Sequence, residues 1–168
     1  TAISGLQAPE GRFQFIKTPK GVTAVVDYAH TPDALKNVLK TIAEIRTGNE
    51  QVISVVGCGG DRDKTKRPEM ARIAGEWSNR IILTSDNPRS EDPATIRKMV
   101  LSGAADALEV PDRASAILRG VDMLDAGDAL LIAGKGHETT QTVGDIVFPF
   151  DDAEQASIAV AALEGRLA

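Results

Sequence analysis

Short apolar runs alternate with amphipathic stretches along almost the whole chain. Residues 22–26, 52–56, 81–83 and 129–133 are aliphatic or β-branched runs with little polar alternation, and 107–110 is a shorter one. Runs of that length predict strands buried on both faces. Between them the apolar positions recur at helical spacing. Leu35, Val38, Leu39, Ile42 and Ile45 follow Thr31-Pro32, an N-cap with proline at the first helical position. Gly48 ends that helix after about Arg46. Met70, Ile73, Ala74 and Trp77 form the stripe of a second helix opened by Pro68; Ile96, Met99 and Val100 form that of a third opened by Pro93. Asp112 caps a fourth carrying Ile117, Leu118, Val121 and Leu124, and Asp151 or Asp152 caps a last one reaching Leu163. Residues 140–143 and 146–150 flank Gly144-Asp145 and read as a hairpin. Residues 1–18, with Pro9, Gly11, Phe13 and Phe15, read as a lead-in segment closed by a turn at 16–21.

Strands alternating with helices predict an α/β, Rossmann-like fold. The expected architecture is a mostly parallel sheet of about six strands, helices on both faces, and a C-terminal β-hairpin. Ligands of such sheets sit beyond the carboxyl ends of the strands. Four polar clusters follow strands directly, at 27–30, 57–64, 86–89 and 134–138. The topology therefore places all four on one edge, and four chemically loaded loops on one edge make a site.

Length and charge narrow the class. A chain of 168 residues is one domain with room for a sizeable core. A net charge of −5 and the lack of a basic cluster argue against a nucleic-acid partner. No apolar run approaches the roughly 20 residues of a membrane span. No signal peptide opens the chain, and the single Cys58 excludes an internal disulfide framework. The expected compartment is the cytoplasm. Thr1, in place of an initiating Met, leads to the expectation of a chain processed or excised from a longer one.

The loops differ in what they offer. Asp86-Asn87-Pro88-Arg89 brings an anion, an amide and a guanidinium within four residues, with Pro88 fixing the backbone between them. Those groups match a free amino acid: Asp86 for an ammonium, Asn87 as donor and acceptor, Arg89 for a carboxylate. Gly57-Cys58-Gly59-Gly60 resembles a dinucleotide fingerprint but lacks its third glycine, and Asp61 and Asp63 would repel a pyrophosphate; Arg62 is the best-placed anion ligand. A plain glycine turn is the alternative. Gly134-Lys135-Gly136 is not a phosphate loop, because Ala129 stands where the first glycine belongs and Gly136 follows the lysine. Its glycines permit close backbone approach, and Glu138 is available for an ammonium. His30 and His137 have no third ligand at metal spacing and read as hydrogen-bonding loop residues, with a general-base role for His30 the minor alternative. Cys58 reads as a small buried residue.

In one order, the four motifs 27–35, 57–64, 86–93 and 133–138 resemble the C-terminal domain of the Mur ligases. Within that family they are most similar to the branch that adds 2,6-diaminopimelate. The resemblance runs from about Gly11 to the last helix, making residues 11–168 the domain and 1–10 a linker or the tail of a preceding one. It implies an ATP-dependent amide ligase of peptidoglycan synthesis. The glutamate carboxylate of UDP-MurNAc-L-Ala-D-Glu becomes an acyl phosphate, which the amine of meso-diaminopimelate attacks. By resemblance, Arg62, Asp86, Asn87, Pro88, Arg89, Gly134 and Glu138 bind that amino acid. Arg12, Asp27 and His30 face ATP, with Asp27 at the ribose. ATP and Mg2+ belong mainly to a central domain outside these residues, so neither a catalytic residue nor a metal site is expected here, and the isolated domain is expected to be inactive.

The residue chemistry bears on the amino acid. Diaminopimelate ends in a second amino-acid group, lysine in a bare ammonium. Facing that ammonium, a desolvated Arg89 would incur a like-charge clash on the order of several kcal/mol. Facing a carboxylate, it gains a two-pronged charge-assisted pair. Relatives that add lysine, D-Ala-D-Ala or folyl polyglutamate are the alternatives within the fold; a free-standing dinucleotide-binding module is the one outside it.

Overall fold

The computed structural model describes residues 12–16, 21–46 and 48–167. Residues 1–10, expected to be a linker or a neighbouring domain's tail, lie outside them. Six strands form one sheet: β1 (Gln14–Ile16), β2 (Thr23–Asp27), β3 (Val52–Val56), β4 (Arg80–Leu83), β5 (Leu108–Glu109) and β6 (Ala129–Ala133), in the order β1-β2-β6-β3-β4-β5. All pairings are parallel except that of β1 with β2. The helices are α1 (Pro32–Ile45), α2 (Lys66–Trp77), α3 (Pro93–Leu101), α4 (Arg113–Asp122) and α5 (Asp152–Leu167). A separate antiparallel hairpin, β7 (Thr140–Val143) with β8 (Ile146–Pro149), precedes α5.

The apolar runs work because the sheet is covered twice. Val52 and Val56, Ile81 and Leu83, and Ala129, Leu131 and Ala133 point to a core shared with α1, α2 and α3. Their neighbours Ile53, Val55, Ile82, Leu130 and Ile132 point to a second core built with α4 and α5. The pleat alternates as usual, but both faces are apolar, so the sequence shows no alternation. Ser54, the polar position in β3, is satisfied by the Ser78 hydroxyl at 2.6 Å.

The helix starts follow local chemistry. Thr31 accepts from the Ala34 N–H, and Asp112 accepts from the Ser115 N–H. For the last helix the cap is Asp151, which accepts from the Glu154 N–H at 3.1 Å, while Asp152 is turned inward. Three differences from the sequence reading stand out. The second helix begins at Lys66, two residues before Pro68, because a proline in the first turn removes an N–H that has no helical partner there. The lead-in segment contributes an antiparallel edge strand, β1, only three residues long and too short to carry a period. The last helix runs beyond Leu163 to Leu167. Among the described residues, no helix is long and apolar enough to cross a membrane.

Candidate functional site

Because β2, β6, β3 and β4 run parallel, their carboxyl ends open on one edge. There a cavity of about 250 Å³ is lined by Tyr28 and His30, Gly59, Arg62 and Lys66, Asp86, Asn87 and Arg89, and Gly134 and Glu138. Each of the four loops singled out by sequence thus supplies lining residues. Of these, Tyr28 had been given no role. Pro88, Asp27 and Arg12 do not line the cavity: Pro88 is buried beneath its loop and Arg12 is exposed.

The loop after β4 is held by its neighbours. The Gly60 N–H donates to the Asn87 carbonyl at 2.8 Å, and Arg89 Nη1 donates to the Gly60 carbonyl at 2.9 Å. A Cβ on Gly60 would lie 1.8 Å from the Pro88 oxygen, so the glycine there serves contact between two loops rather than approach to a pyrophosphate. On the other side β7 runs alongside. The Arg89 N–H donates to the Thr142 carbonyl at 3.1 Å, and the Gly144 N–H donates to the Arg89 carbonyl at 2.6 Å. These bonds pin Arg89 at φ +53, a left-handed backbone unusual for a residue with a side chain. Gln141 Nε2 donates to the Asp86 carbonyl at 2.7 Å. The hairpin therefore braces the loop after β4 and contributes no residue to the cavity lining.

The acidic residues of the glycine loop are engaged with protein donors. Asp61 accepts from the backbone N–H and hydroxyl of Ser90, which lowers its pKa. Asp63 accepts from the N–H and hydroxyl of Thr65, with the same effect. Glu91 takes both prongs of Arg67, whose side chain is fully buried, and the Asp61 N–H. The Arg67 bonds, then the Asp61 N–H, hold its carboxyl down at about 2. Among the described residues, no three His, Cys, Asp or Glu side chains are grouped to hold a metal ion. Cys58 is buried, and burial pushes its thiol up to about 11, so it is no nucleophile at neutral pH.

Asp27 ends β2. Its Oδ2 accepts from the Phe13 N–H at 2.7 Å and its Oδ1 from the Ala29 N–H at 2.8 Å. Burial raises its pKa, against the pull of those two bonds and of Arg12. Asp27 thus fastens the incoming segment to the sheet edge. His30 Nδ1 lies 2.9 Å from the Tyr28 carbonyl, and the Tyr28 ring contacts the rings of His30 and His137 at 4.6 and 5.7 Å. Lys66 Nζ donates to the His30 carbonyl at 2.9 Å, joining the first and second loops.

Two buried cations escaped the sequence reading. Lys135, fully buried, donates to Asn87 Oδ1 and to the Thr140 carbonyl, each at 2.8 Å, and lies 3.1 Å from Asp86 Oδ1. Its place between two glycines was visible, but its side-chain partner Asn87 is 48 residues away. Arg113 grips Asp152 with two prongs at 2.8 and 2.7 Å and donates to the carbonyls of Ser85 and Ala133 at the bases of two site loops. Burial alone would lower the Arg113 pKa; the Asp152 carboxylate outweighs it and raises it. Nothing in the sequence pairs these two residues.

Residues 11–136 match the family described as Mur ligase, glutamate ligase domain. The chain is 52% identical, over 98% of its length, to a UDP-N-acetylmuramoyl-L-alanyl-D-glutamate–2,6-diaminopimelate ligase of Agrobacterium fabrum, of which it covers 33%. A solved structure of a ligase with that description superposes over 95% of this chain and 33% of its own, with a TM-score of 0.85 at 42% identity. A bifunctional folylpolyglutamate synthase/dihydrofolate synthase from Yersinia pestis, solved with AMPPNP and Mn, shares the fold at 18% identity, with a TM-score of 0.61 over 94% of this chain and 32% of its own. The chain spans about one third of the length of the curated relatives it matches. It belongs to the Mur ligase family, within which it is the glutamate ligase domain.

Proposed function

We propose that this chain is the amino-acid-recognising domain of an ATP-dependent ligase that joins meso-2,6-diaminopimelate to UDP-MurNAc-L-Ala-D-Glu. The domain is residues 11–168, with 1–10 a linker or the tail of a preceding domain. The observation that carries the reading is Arg89, held in the cavity wall by the Gly60 carbonyl and flanked there by Asp86, Asn87 and Glu138. Among the described residues its guanidinium has no carboxylate partner within ion-pair distance, although an acidic protein could easily have supplied one. The Arg89 guanidinium together with the Asp86 and Glu138 carboxylates suits a zwitterionic end group, in a cavity that Arg62 and Lys66 also line. Arg89 would take its carboxylate, and Asp86 and Glu138 its ammonium. Arg62, exposed at the rim, would meet the other end of the same molecule.

The ligase named for the similar relatives makes an amide bond. In such a reaction ATP activates the glutamate carboxylate as an acyl phosphate, and the amine of the incoming amino acid displaces phosphate. The work of this domain is to fix the distal end of the amino acid so that its reacting amine projects beyond the sheet edge. Holding a nucleophile in place removes the entropy of a bimolecular encounter. Asp27, His30 and Arg12, on the flank of the same edge, would contact ATP when the rest of the enzyme closes. The described residues do not suit Mg2+, because Asp61, Asp63 and Glu91 already face protein donors. The ion is assigned to the remaining part of the ligase, and the reaction to the cytoplasm.

Turnover assays test this division of labour. The isolated chain, given ATP, UDP-MurNAc-L-Ala-D-Glu and meso-diaminopimelate, is expected to release no ADP above background. The full-length ligase is expected to form the tripeptide nucleotide. ADP release by the isolated chain, or no product from the full-length protein, would sink the reading.

A further inference from the structure

The buried ammonium behind the site decides which way its amide faces. Asn87 Oδ1 accepts from two groups, Lys135 Nζ at 2.8 Å and the Thr142 N–H at 3.0 Å. Both can only donate, so the amide atom turned toward them is the oxygen. The amide –NH2 is left for the cavity, which Asn87 lines. The same ammonium lies 3.1 Å from Asp86 Oδ1, while Oδ2 is the oxygen turned toward Gly134, another lining residue. Lys135 has no exposed surface of its own and its third neighbour is the Thr140 carbonyl, so it takes no part in contact with a ligand.

We propose that Lys135 is the positioning residue of the amino-acid site, presenting the Asn87 –NH2 and the Asp86 Oδ2 to the ligand as one fixed donor beside one fixed acceptor. This rests on the reading of the cavity as an amino-acid site and deepens it. An ammonium on the ligand can then meet Asp86 but not Asn87, and a ligand carboxylate can meet Asn87 and Arg89 but not Asp86. The pair reads the polarity of the bound end group, its carboxylate on the Asn87 and Arg89 side and its ammonium on the Asp86 side. The side chain also ties the loop after β4 to β7, since Asn87 and Thr140 share its protons.

A double-mutant cycle in the full-length ligase tests this. Lys135→Met is expected to raise KM for the amino acid about ten- to hundredfold, the scale of a misplaced binding group. KM for ATP and for the dipeptide nucleotide should stay within about twofold. Because Lys135 acts in part through Asn87, adding Lys135→Met to Asn87→Ala is expected to raise KM for the amino acid by a smaller factor than it does in the wild type. Independent, additive effects would overturn the proposal, as would an equal rise in all three KM values. Should Lys135→Met fail to fold by thermal melting, Asn87→Asp decides, because it keeps the Lys135 contact. Its second oxygen would replace the –NH2 and repel the ligand carboxylate, so it is expected to bind worse than Asn87→Ala. Binding close to wild type in Asn87→Asp would overturn the proposal. The cycle is run with whichever amino acid the wild type joins, so a ligase that rejects diaminopimelate sinks the substrate reading without touching the test of Lys135.

Discussion

Gly60 is the residue on which the two central loops turn. Its N–H and carbonyl bond Asn87 and Arg89, and the place of its missing Cβ lies 1.8 Å from the Pro88 oxygen. Gly60→Ala forces backbone apart from backbone, with no flexible side chain to give way. It is expected to cost about 1–3 kcal/mol, the range for overpacking, read as a lower denaturant midpoint at unchanged slope. Amino-acid affinity should fall with it. A midpoint equal to wild type would mean that the loops are not braced there. The sequence offered Gly57, Gly59 and Gly60 as either a cofactor loop or a plain turn. Their use against a second loop depends on the approach of residues 57–60 to 86–89, which no local signal contains. That Arg62, Asp86, Asn87, Arg89 and Glu138 line one cavity, by contrast, was legible because each follows a strand that ends on the same edge. Asp61 and Asp63 looked the same in sequence, yet they bind Ser90 and Thr65; charge alone does not tell a cavity-lining group from a loop brace.

At the scale of elements, the strands and helices were readable because each period is pure: unbroken apolar runs for the double-covered strands, three- and four-residue spacing for the helices. The three-residue β1 was not readable, since nothing so short has a period. The join between α4 and α5 was not readable either. Arg113 and Asp152, both without exposed surface, bind each other and two strand-end carbonyls, so the site loops rest on an ion pair. Removing one partner leaves a buried charge, and Asp152→Ala is expected to destabilise the domain by about 3–5 kcal/mol. Exchanging both, as Arg113→Met with Asp152→Leu, is expected to recover most of that loss, because an apolar pair carries no desolvation penalty. Chemical denaturation of the single and double variants checks it. A double variant as unstable as the single would mean that the carbonyl bonds to Ser85 and Ala133, not the pair, hold the two helices.

Across the whole molecule, a parallel sheet gathers four loops at one edge, a hairpin braces the loop after β4, and the buried Arg67, Arg113 and Lys135 tie the loops together. Family membership follows from the match and from 52% identity to a relative three times as long; the proposed choice of amino acid rests on Arg89. That choice is the central claim, and an NMR titration of this domain with meso-diaminopimelate, and separately with L-lysine, tests it most directly. Shifts at Arg62, 86–89 and 134–138 are expected with diaminopimelate, weaker ones with lysine, and the difference between them should vanish in Arg89→Ala. Equal responses of the wild type to the two amino acids would contradict the account.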